Sequence, residues 1–416
     1  MTETPIPAPV RERGYATATS GTGWWEDLTK ETTPELRWPL SIGVFDKMRK
    51  QDAQVASVLR AVTSPIIRTR WSIDGRGCDP EITRFVAQNL GLPILDAEPG
   101  EDFQAGLRGR DRFSWDDHLR LALLMLPFGH MFFEQVYRYD ESTGRFMLRK
   151  LGERHPSTIA QVRVARDGGL QGIVQHGTDL IPGAGVAYSG NPGGVTLPVS
   201  RLVAYVLERE GGNWLGQSLL RSAYKNWLLK DRALRTWSQT IDRQGMGLPV
   251  YTAAPGEASL DAGQDIAAGA RSGDNSGAAL PNGADLELLG VQGTLPDIDK
   301  FVRYQDEQIA RAVLAHFLNL GTQTGSWALG STFADFFTLS LQAVAEGVRD
   351  TATAHVIEDL VDINFGPSVP APRLAFDEIG SRASELDRVR EAAGLSSDAD
   401  LVKFLRSVPA HQGGTA

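Results

Sequence analysis

Apolar positions in the second half of the chain recur with helical spacing. Between 296 and 318 they return every third or fourth residue, which predicts a helix with one apolar face. A polar stretch rich in glycine, threonine and serine, residues 319–330, breaks this pattern. Helical signals resume at Ser331 and run to Gly366, which precedes a proline and so fits a helix end. The pattern predicts two helices joined by a polar loop, the second with a bend at Gly347.

The first half of the chain predicts short helices mixed with antiparallel strands. Asp79 and Ser114 fit the capping positions of helices, whereas 140–144 and 167–169 fit hairpin turns. Residues 177–200 carry loop signals. The predicted elements are a helix over 44–62 that Pro65 ends, a strand over 66–73, helices over 80–90 and 115–126, hairpins over 131–151 and 162–175, and a strand over 202–207.

A second long helix is predicted over 218–244, opened by Gly216. The span contains six basic residues against two acidic ones. Such a row is either a solvated helix face or a functional basic face, and the pattern alone leaves both open. The candidate basic face consists of Lys225, Lys230, Arg232, Arg235 and Arg243.

A small α/β insertion is predicted between the two long helices. Its strands are expected over 245–251 and 285–289, with a weak helix between them. The last 45 or so residues begin Pro-rich and end with a short amphipathic helix over 398–405. We therefore expect an α+β fold with long helices around a compact insertion.

Composition narrows the class of protein. With 416 residues the chain is long enough for two or three domains, and 42% hydrophobic with 22% charged content is ordinary for a globular protein. The start lacks a secretory signal, and the most apolar window, 121–133, is too short to span a membrane. Because the net charge is −9, a surface that binds nucleic acid through many phosphate contacts is not expected.

Signatures of catalysis and of cofactor or metal binding are missing from the sequence. Neither a nucleophile elbow, a zinc-protease motif nor a dinucleotide fingerprint occurs. The loop at Gly321 lacks the lysine of a phosphate-binding loop, and the Asp116 and Asp117 pair fits a capping box better than a catalytic pair. The lone Cys78 excludes a disulfide framework, and the seven histidines are scattered. We expect that the protein is not an enzyme and that it binds neither a cofactor nor a metal ion.

Several short segments follow one another along the chain in a characteristic order and spacing. They are 52–60, 71–73, 128–134, 213–221, 247–249, 281–283, the helix ending near Leu320, and 360–366. Taken together, these segments resemble the portal proteins of tailed bacteriophages, although no single segment is diagnostic. The resemblance is strongest to the Mu-like branch and covers roughly residues 40–380.

This resemblance implies a ring, normally of about twelve copies, at one vertex of a capsid. Double-stranded DNA would be packaged and ejected through its channel. The implied partners are the terminase large subunit, the major capsid protein and a head–tail adaptor. Contact with a membrane is not implied. The protein would sit at the portal vertex of the virion and in the host cytoplasm during assembly.

The parts of a portal protein carry over by position. Residues 319–330 resemble the tunnel loop of portal proteins. The resemblance implies that this loop contacts DNA through Thr322, Gln323, Thr324, Ser326 and Trp327. The implied parts are a flexible arm over 1–39, a wing over 40–215, stem helices over 216–245 and 295–318, a clip over 246–294, the tunnel loop over 319–330, a long helix over 331–370, and a short crown region with a tail over 371–416.

Three alternatives stay open at this point. The chain could be another virion component, such as a head–tail connector or a baseplate protein. It could also be an enzyme whose site is assembled from dispersed Asp, Glu and His residues, although the missing motifs count against this. The loop over 319–330, finally, could be a plain helix connection that touches only neighbouring subunits.

Overall fold

The protein forms two units that are built from different parts of the chain. A computed structural model describes residues 31–97, 113–165, 167–177, 194–246, 248–257, 259–269, 279–289, 297–313 and 327–380. The first unit contains the residues up to Arg221 and those from Val313 onward, and the second contains Ser222–Ala312. Residues 1–30 of the predicted arm over 1–39, and the predicted helix over 398–405, lie outside the described residues. Within residues 31–39, Pro34–Leu36 forms a 3₁₀ helix and Glu31 pairs with Arg221.

Helices and strands follow one another in a mixed order, as the α+β prediction requires. The helices are α1 (Leu40–Gln51), α2 (Ala53–Arg68), α3 (Pro80–Leu90), α4 (Trp115–Ala122), α5 (Met125–Phe128), α6 (Tyr224–Met246), α7 (Asp261–Gly269), α8 (Ile298–Arg311), α9 (Trp327–Ala352) and α10 (Glu358–Phe365). The strands are β1 (Trp71–Asp74), β2 (His130–Asp140), β3 (Arg145–Arg154), β4 (Ile159–Val164), β5 (Leu170–Gln175), β6 (Val195–Pro198), β7 (Leu202–Val206), β8 (Leu248–Thr252), β9 (Asp285–Leu289) and β10 (Arg373–Phe376).

Two helices occupy the region where the sequence predicted one. The Asp52 side chain accepts hydrogen bonds from the amides of Gln54 and Val55, so it starts α2 as a new helix. The prediction that Pro65 ends the helix was wrong, because α2 continues to Arg68. Its last turn fully buries Ile66, a gain of about 1.5–3 kcal/mol that offsets much of the roughly 3 kcal/mol cost of an internal proline. The strand β1 consequently starts only at Trp71.

Among the described residues, the first unit contains three antiparallel sheets. The predicted hairpins are confirmed as β2–β3 and β4–β5, and β7 pairs with the other edge of β2. Two strands were not predicted. The first is β6, which extends the second hairpin, and the second is β10, which pairs with β1. The sheet orders are therefore β3-β2-β7, β4-β5-β6 and β1-β10.

A close backbone crossing joins the segment after α5 to the segment after β7. Gly129 and Gly216 have φ angles of 87° and 60°, and a Cβ at Gly216 would lie 2.4 Å from the Gly129 carbonyl oxygen. The amides of Gln217 and Leu219 donate to the carbonyls of Leu207 and Leu126. Because these bonds hold the segment in a non-helical path, the prediction of a helix from residue 218 was wrong and α6 starts at Tyr224.

Two histidines lie in the core of the first unit. His118 is hydrogen-bonded through Nε2 to the Tyr205 hydroxyl at 2.9 Å. His130 Nδ1 donates to the Leu215 carbonyl at 2.9 Å, because a carbonyl oxygen can only accept. Burial lowers the pKa of His118 to about 3 and that of His130 to about 4. Both rings are therefore neutral structural residues, as expected for scattered histidines.

The long C-terminal helix begins earlier than predicted and is interrupted at a different place. Residues 327–330, expected as the end of a loop, already belong to α9, where Gly330 is tolerated at a cost of about 1 kcal/mol. Gly347 lies inside regular α-helix. The irregularity is instead a π-helical turn over Thr353–Ile357, which leads directly into α10. Helix α9 packs against α2, β7 and β10.

Candidate functional site: the helix pair, its insertion and the start of α9

The second unit is organised around α6 and α8, which pack against each other. Polar groups tie the two helices together at one level. The Asn226 amide donates to the Gln305 side-chain oxygen at 2.7 Å, and the Lys230 ammonium lies 2.6 Å from the Asp306 carboxylate. Since Gln305 is buried and the Lys230 side chain is only 10% exposed, these contacts fix the register of the pair.

The predicted basic face divides into two groups. Lys225, Arg232 and Arg243 are separated by seven and eleven residues, which is about two and three helical turns, so they share one side of α6. Arg235 lies near that side, and its guanidinium pairs with Asp231 at 2.9 Å. Lys230 does not belong to this face, because its register places it on the opposite side, where it meets α8. By their spacing on α6, four of the five predicted residues fall on one side of the helix.

In its described residues, the insertion between the helices is a two-stranded sheet with one helix. Strands β8 and β9 pair from Leu248 opposite Leu289 to Thr252 opposite Asp285, and α7 packs on β8. The approach is close, since a Cβ at Gly263 would lie 2.1 Å from the Tyr251 ring. Because α6 continues to Met246, the first strand starts later than predicted; the second strand is confirmed at both ends.

The predicted tunnel-loop residues fall at the edge of the described chain. Thr322, Gln323, Thr324 and Ser326 lie outside the described residues, and Trp327 is the first residue of α9. The helix α8 that leads toward them is capped by Asp297, whose carboxylate accepts from the Lys300 amide at 3.0 Å. The helix prediction over 296–318 is therefore confirmed for Ile298–Arg311.

Sequence reasoning missed Asn226, Gln305 and Asp306 and placed Lys230 on the basic face, so it did not recognise the polar contact between α6 and α8. Asn226 and Lys230 are four residues apart and so share a face of α6. Their partners Gln305 and Asp306 interrupt the apolar face of α8. A search for polar residues that fall on an apolar stripe would have indicated them.

The residues considered for chemistry have structural roles. The Ser114 hydroxyl accepts from the Asp117 amide at 3.4 Å, and Asp117 pairs with Arg120 at 3.1 Å, which confirms the capping box. Among the described residues, no group of three or more His, Cys, Asp or Glu side chains could hold a metal ion. Within the same part of the chain, no helix combines the length and apolar character needed to cross a bilayer.

The sequence model of the family described as "Portal protein of Mu bacteriophage" matches residues 42–402. This chain belongs to that family. The resemblance found in the sequence is confirmed, and the protein is a portal protein of a phage or phage-like particle. The family is structural rather than catalytic.

Solved structures show the same fold. A chain of the "Virion of native gene transfer agent (GTA) particle" is 13% identical with a TM-score of 0.51, and the match covers 89% of this chain and 94% of that one. A chain of the "Neck of native GTA particle computed with C12 symmetry" is 13% identical with a TM-score of 0.50, covering 88% and 93%. The predicted portal fold is thereby confirmed at low sequence identity.

Proposed function

We propose that this portal protein assembles as a ring of twelve subunits whose central channel carries double-stranded DNA during packaging and ejection. The family match over most of the chain carries the proposal. The fold neighbour solved in a neck with C12 symmetry supports the subunit number. A closed ring is also the arrangement in which unlike surfaces of identical subunits meet without growing into a filament.

Apolar side chains on the helix pair support a contact between subunits. Five large apolar residues of α6 and α8 are 41–57% exposed, although each lies on a helix that already packs on the other. Large apolar side chains that stay exposed on a helix pair are candidates for contact with another chain. The residues are Leu228, Leu234, Ile241, Phe301 and Tyr304.

Native mass spectrometry of the purified chain, together with negative-stain images, tests the ring. We expect a large cyclic oligomer with a central hole, with twelve subunits in the particle. A chain that stays monomeric at micromolar concentration would refute the proposal. Changing Leu234 and Ile241 to Ser should weaken assembly, whereas Leu260→Ser, which changes a 61% exposed leucine on the insertion, is the control.

We assign the parts of the ring by position in the chain. Residues 40–215 form the wing, α6 and α8 the stem, the β8–α7–β9 insertion within 246–294 the clip, and 371–416 a short crown region with a tail. The wing meets the major capsid protein, and the clip receives first the terminase large subunit and then a head–tail adaptor. The ring acts at the portal vertex of the virion and is assembled in the host cytoplasm.

A segment exchange tests the clip assignment. Strands β8 and β9 pair only with each other in the described chain and enter between the two stem helices. Replacing residues 248–289 by a flexible linker should therefore leave the wing folded and abolish binding to the terminase large subunit. Binding that survives in a pull-down would contradict the assignment, and circular dichroism of the variant checks the fold.

The tunnel loop is proposed to touch DNA through uncharged groups. Thr322, Gln323, Thr324, Ser326 and Trp327 offer hydrogen bonds and one ring but no charge. Strong phosphate pairing would slow movement of DNA, whereas weak polar contacts would not. The basic side of α6, with Lys225, Arg232, Arg235 and Arg243, is the proposed cationic part of the stem, and Lys230 is excluded from it.

A further inference from the structure

A small cavity lies in the first unit between the β3-β2-β7 sheet and the end of the long C-terminal helix. Its volume is about 270 Å³, and its lining includes Gln135, Tyr137, Arg201, Asp359 and Asp362. Pockets for whole small-molecule ligands usually measure about 300–1,000 Å³. The size therefore suits a single side chain better than a cofactor.

A chain of hydrogen bonds holds one carboxylate in place at this cavity. The Tyr137 hydroxyl donates to Gln135 Oε1 at 2.9 Å, and Gln135 Nε2 donates to Asp359 Oδ2 at 2.7 Å. The same amide nitrogen donates to the His355 carbonyl, which belongs to the π-helical turn. Gln135 is only 4% exposed, so its amide cannot reorient easily. Burial raises the pKa of Tyr137, which keeps the phenol protonated as the donor.

Within the described part of the chain, neither an arginine nor a lysine shifts the pKa of the Asp359 carboxylate. Burial raises its pKa, and the nearby Asp362 carboxylate acts in the same direction, while the Gln135 bond and the His355 ring partly oppose them. Arg201 also lines the cavity and is exposed, but it is not among the groups that shift the pKa of Asp359. A half-buried carboxylate that accepts from an amide and has no arginine or lysine paired with it can accept a guanidinium.

Apolar side chains continue the surface beside the cavity. Tyr139 and Phe146 lie opposite each other on β2 and β3, with ring centroids 5.2 Å apart, and are 54% and 41% exposed. Ile363 lines the cavity and is 47% exposed. Aromatic residues around a pocket that accepts an arginine are typical of the centre of a protein interface.

We propose that this cavity receives one arginine side chain from a second copy of the chain, as a contact between neighbouring subunits. The inference rests on the proposed ring. In a cyclic ring the two sides of an interface are different surfaces, so a carboxylate socket on one side can meet a guanidinium on the other. The charge of the lining favours a cationic occupant. Two carboxylates and one arginine line the site, so one additional positive charge would balance it.

Asp359→Asn tests the socket with little change in shape. The asparagine keeps an oxygen for the Gln135 amide but removes the charge, so ring formation should require at least about tenfold more protein. The matched control is Asp350→Asn, which removes an exposed charge from α9, paired with Arg349, outside the cavity. Ring and monomer fractions are measured by native mass spectrometry over a concentration series, and melting curves of the monomers check folding.

A photo-crosslinking residue in place of Ile363 identifies the occupant directly. We expect crosslinked dimers in which the peptide from the second subunit contains an arginine. Changing that arginine to Gln should weaken ring formation as much as Asp359→Asn does, and combining the two changes should weaken it no further. Crosslinks confined to the same chain, or only to a different protein, would overturn the inference. If Asp359→Asn forms rings at the same concentration as wild type, the arginine contact is refuted but the proposed ring is not. If the wild-type chain forms no rings, the proposed function itself is refuted.

Discussion

The ion pair between Lys230 and Asp306 offers a direct test of what holds the stem together. Removal of one partner from a buried ion pair costs about 3–5 kcal/mol, whereas exposed pairs contribute about 0–1 kcal/mol. The Lys230 side chain is 10% exposed and that of Asp306 is 29% exposed, which places this pair between the two limits. For Lys230→Met, which keeps the length of the side chain, we expect a loss of about 2 kcal/mol.

Amide hydrogen exchange measures this loss where it occurs. A change of about 2 kcal/mol corresponds to a roughly 30-fold increase in local opening, since about 1.4 kcal/mol equals a factor of ten. Peptides from α6 and α8 of the unassembled chain should therefore exchange faster, while peptides from α3 should not. Arg235→Met is the matched control, because it breaks an ion pair on the same helix whose side chains are 71% and 42% exposed, and it should leave exchange unchanged.

A double variant separates the lost ion pair from other effects of the substitution. In Lys230→Met with Asp306→Leu the unpaired carboxylate is removed as well, and apolar replacement of both partners is often neutral. We expect most of the protection to return. Wild-type exchange rates in Lys230→Met, or equal effects of Lys230→Met and Arg235→Met, would refute the reasoning.

Three further outcomes are expected. Gly216→Ala should destabilise the first unit by more than about 1–3 kcal/mol, because it adds a clash to an unfavourable φ angle; a wild-type melting curve would contradict this. For His118 and His130 the folded-state pKa values, about 3 and about 4, lie below the ordinary 6.5, so the unfolded chain binds more protons and stability falls as the pH drops from about 6.5 to about 3. Melting temperatures of wild type and His118→Gln over this range should converge at low pH. Changing Gln323 and Thr324 to Lys should spare ring assembly but make DNA packaging and ejection slower and salt-dependent; wild-type rates at low salt would show that the loop does not face DNA.

Local signals predicted the elements that are stabilised locally. The β2–β3 hairpin has its turn residues at 140–144, and α3 has Asp79 as its N-cap and Gly91 as its left-handed end, so both could be read from the sequence. Strand β10 could not, because four residues carry little periodicity and its pairing with β1 is set by tertiary structure. The start of α6 was misplaced for the same reason, since Gly216 is held by Gly129.

The candidate site shows a similar division. The row of basic residues on α6 was visible from spacing, whereas the position of Lys230 against Asp306 depends on how α8 packs. The socket at Asp359 could not be predicted at all, because the Gln135 amide that holds it lies 224 residues away in sequence. Contacts of this kind become apparent only when the sheet and the helix are both in place.

The pairing of the first strand with the last has a consequence for synthesis of the chain. Strand β1 is complete at Asp74, but its partner β10 starts at Arg373, about 300 residues later. At about 5–20 residues per second, a ribosome needs roughly 15–60 seconds to synthesise the residues between the two strands. During this time the whole second unit, Ser222–Ala312, is already made and can fold as a contiguous piece. The first unit is thus completed only after the second, and one edge of β1 stays without its partner strand until residue 376 has been made.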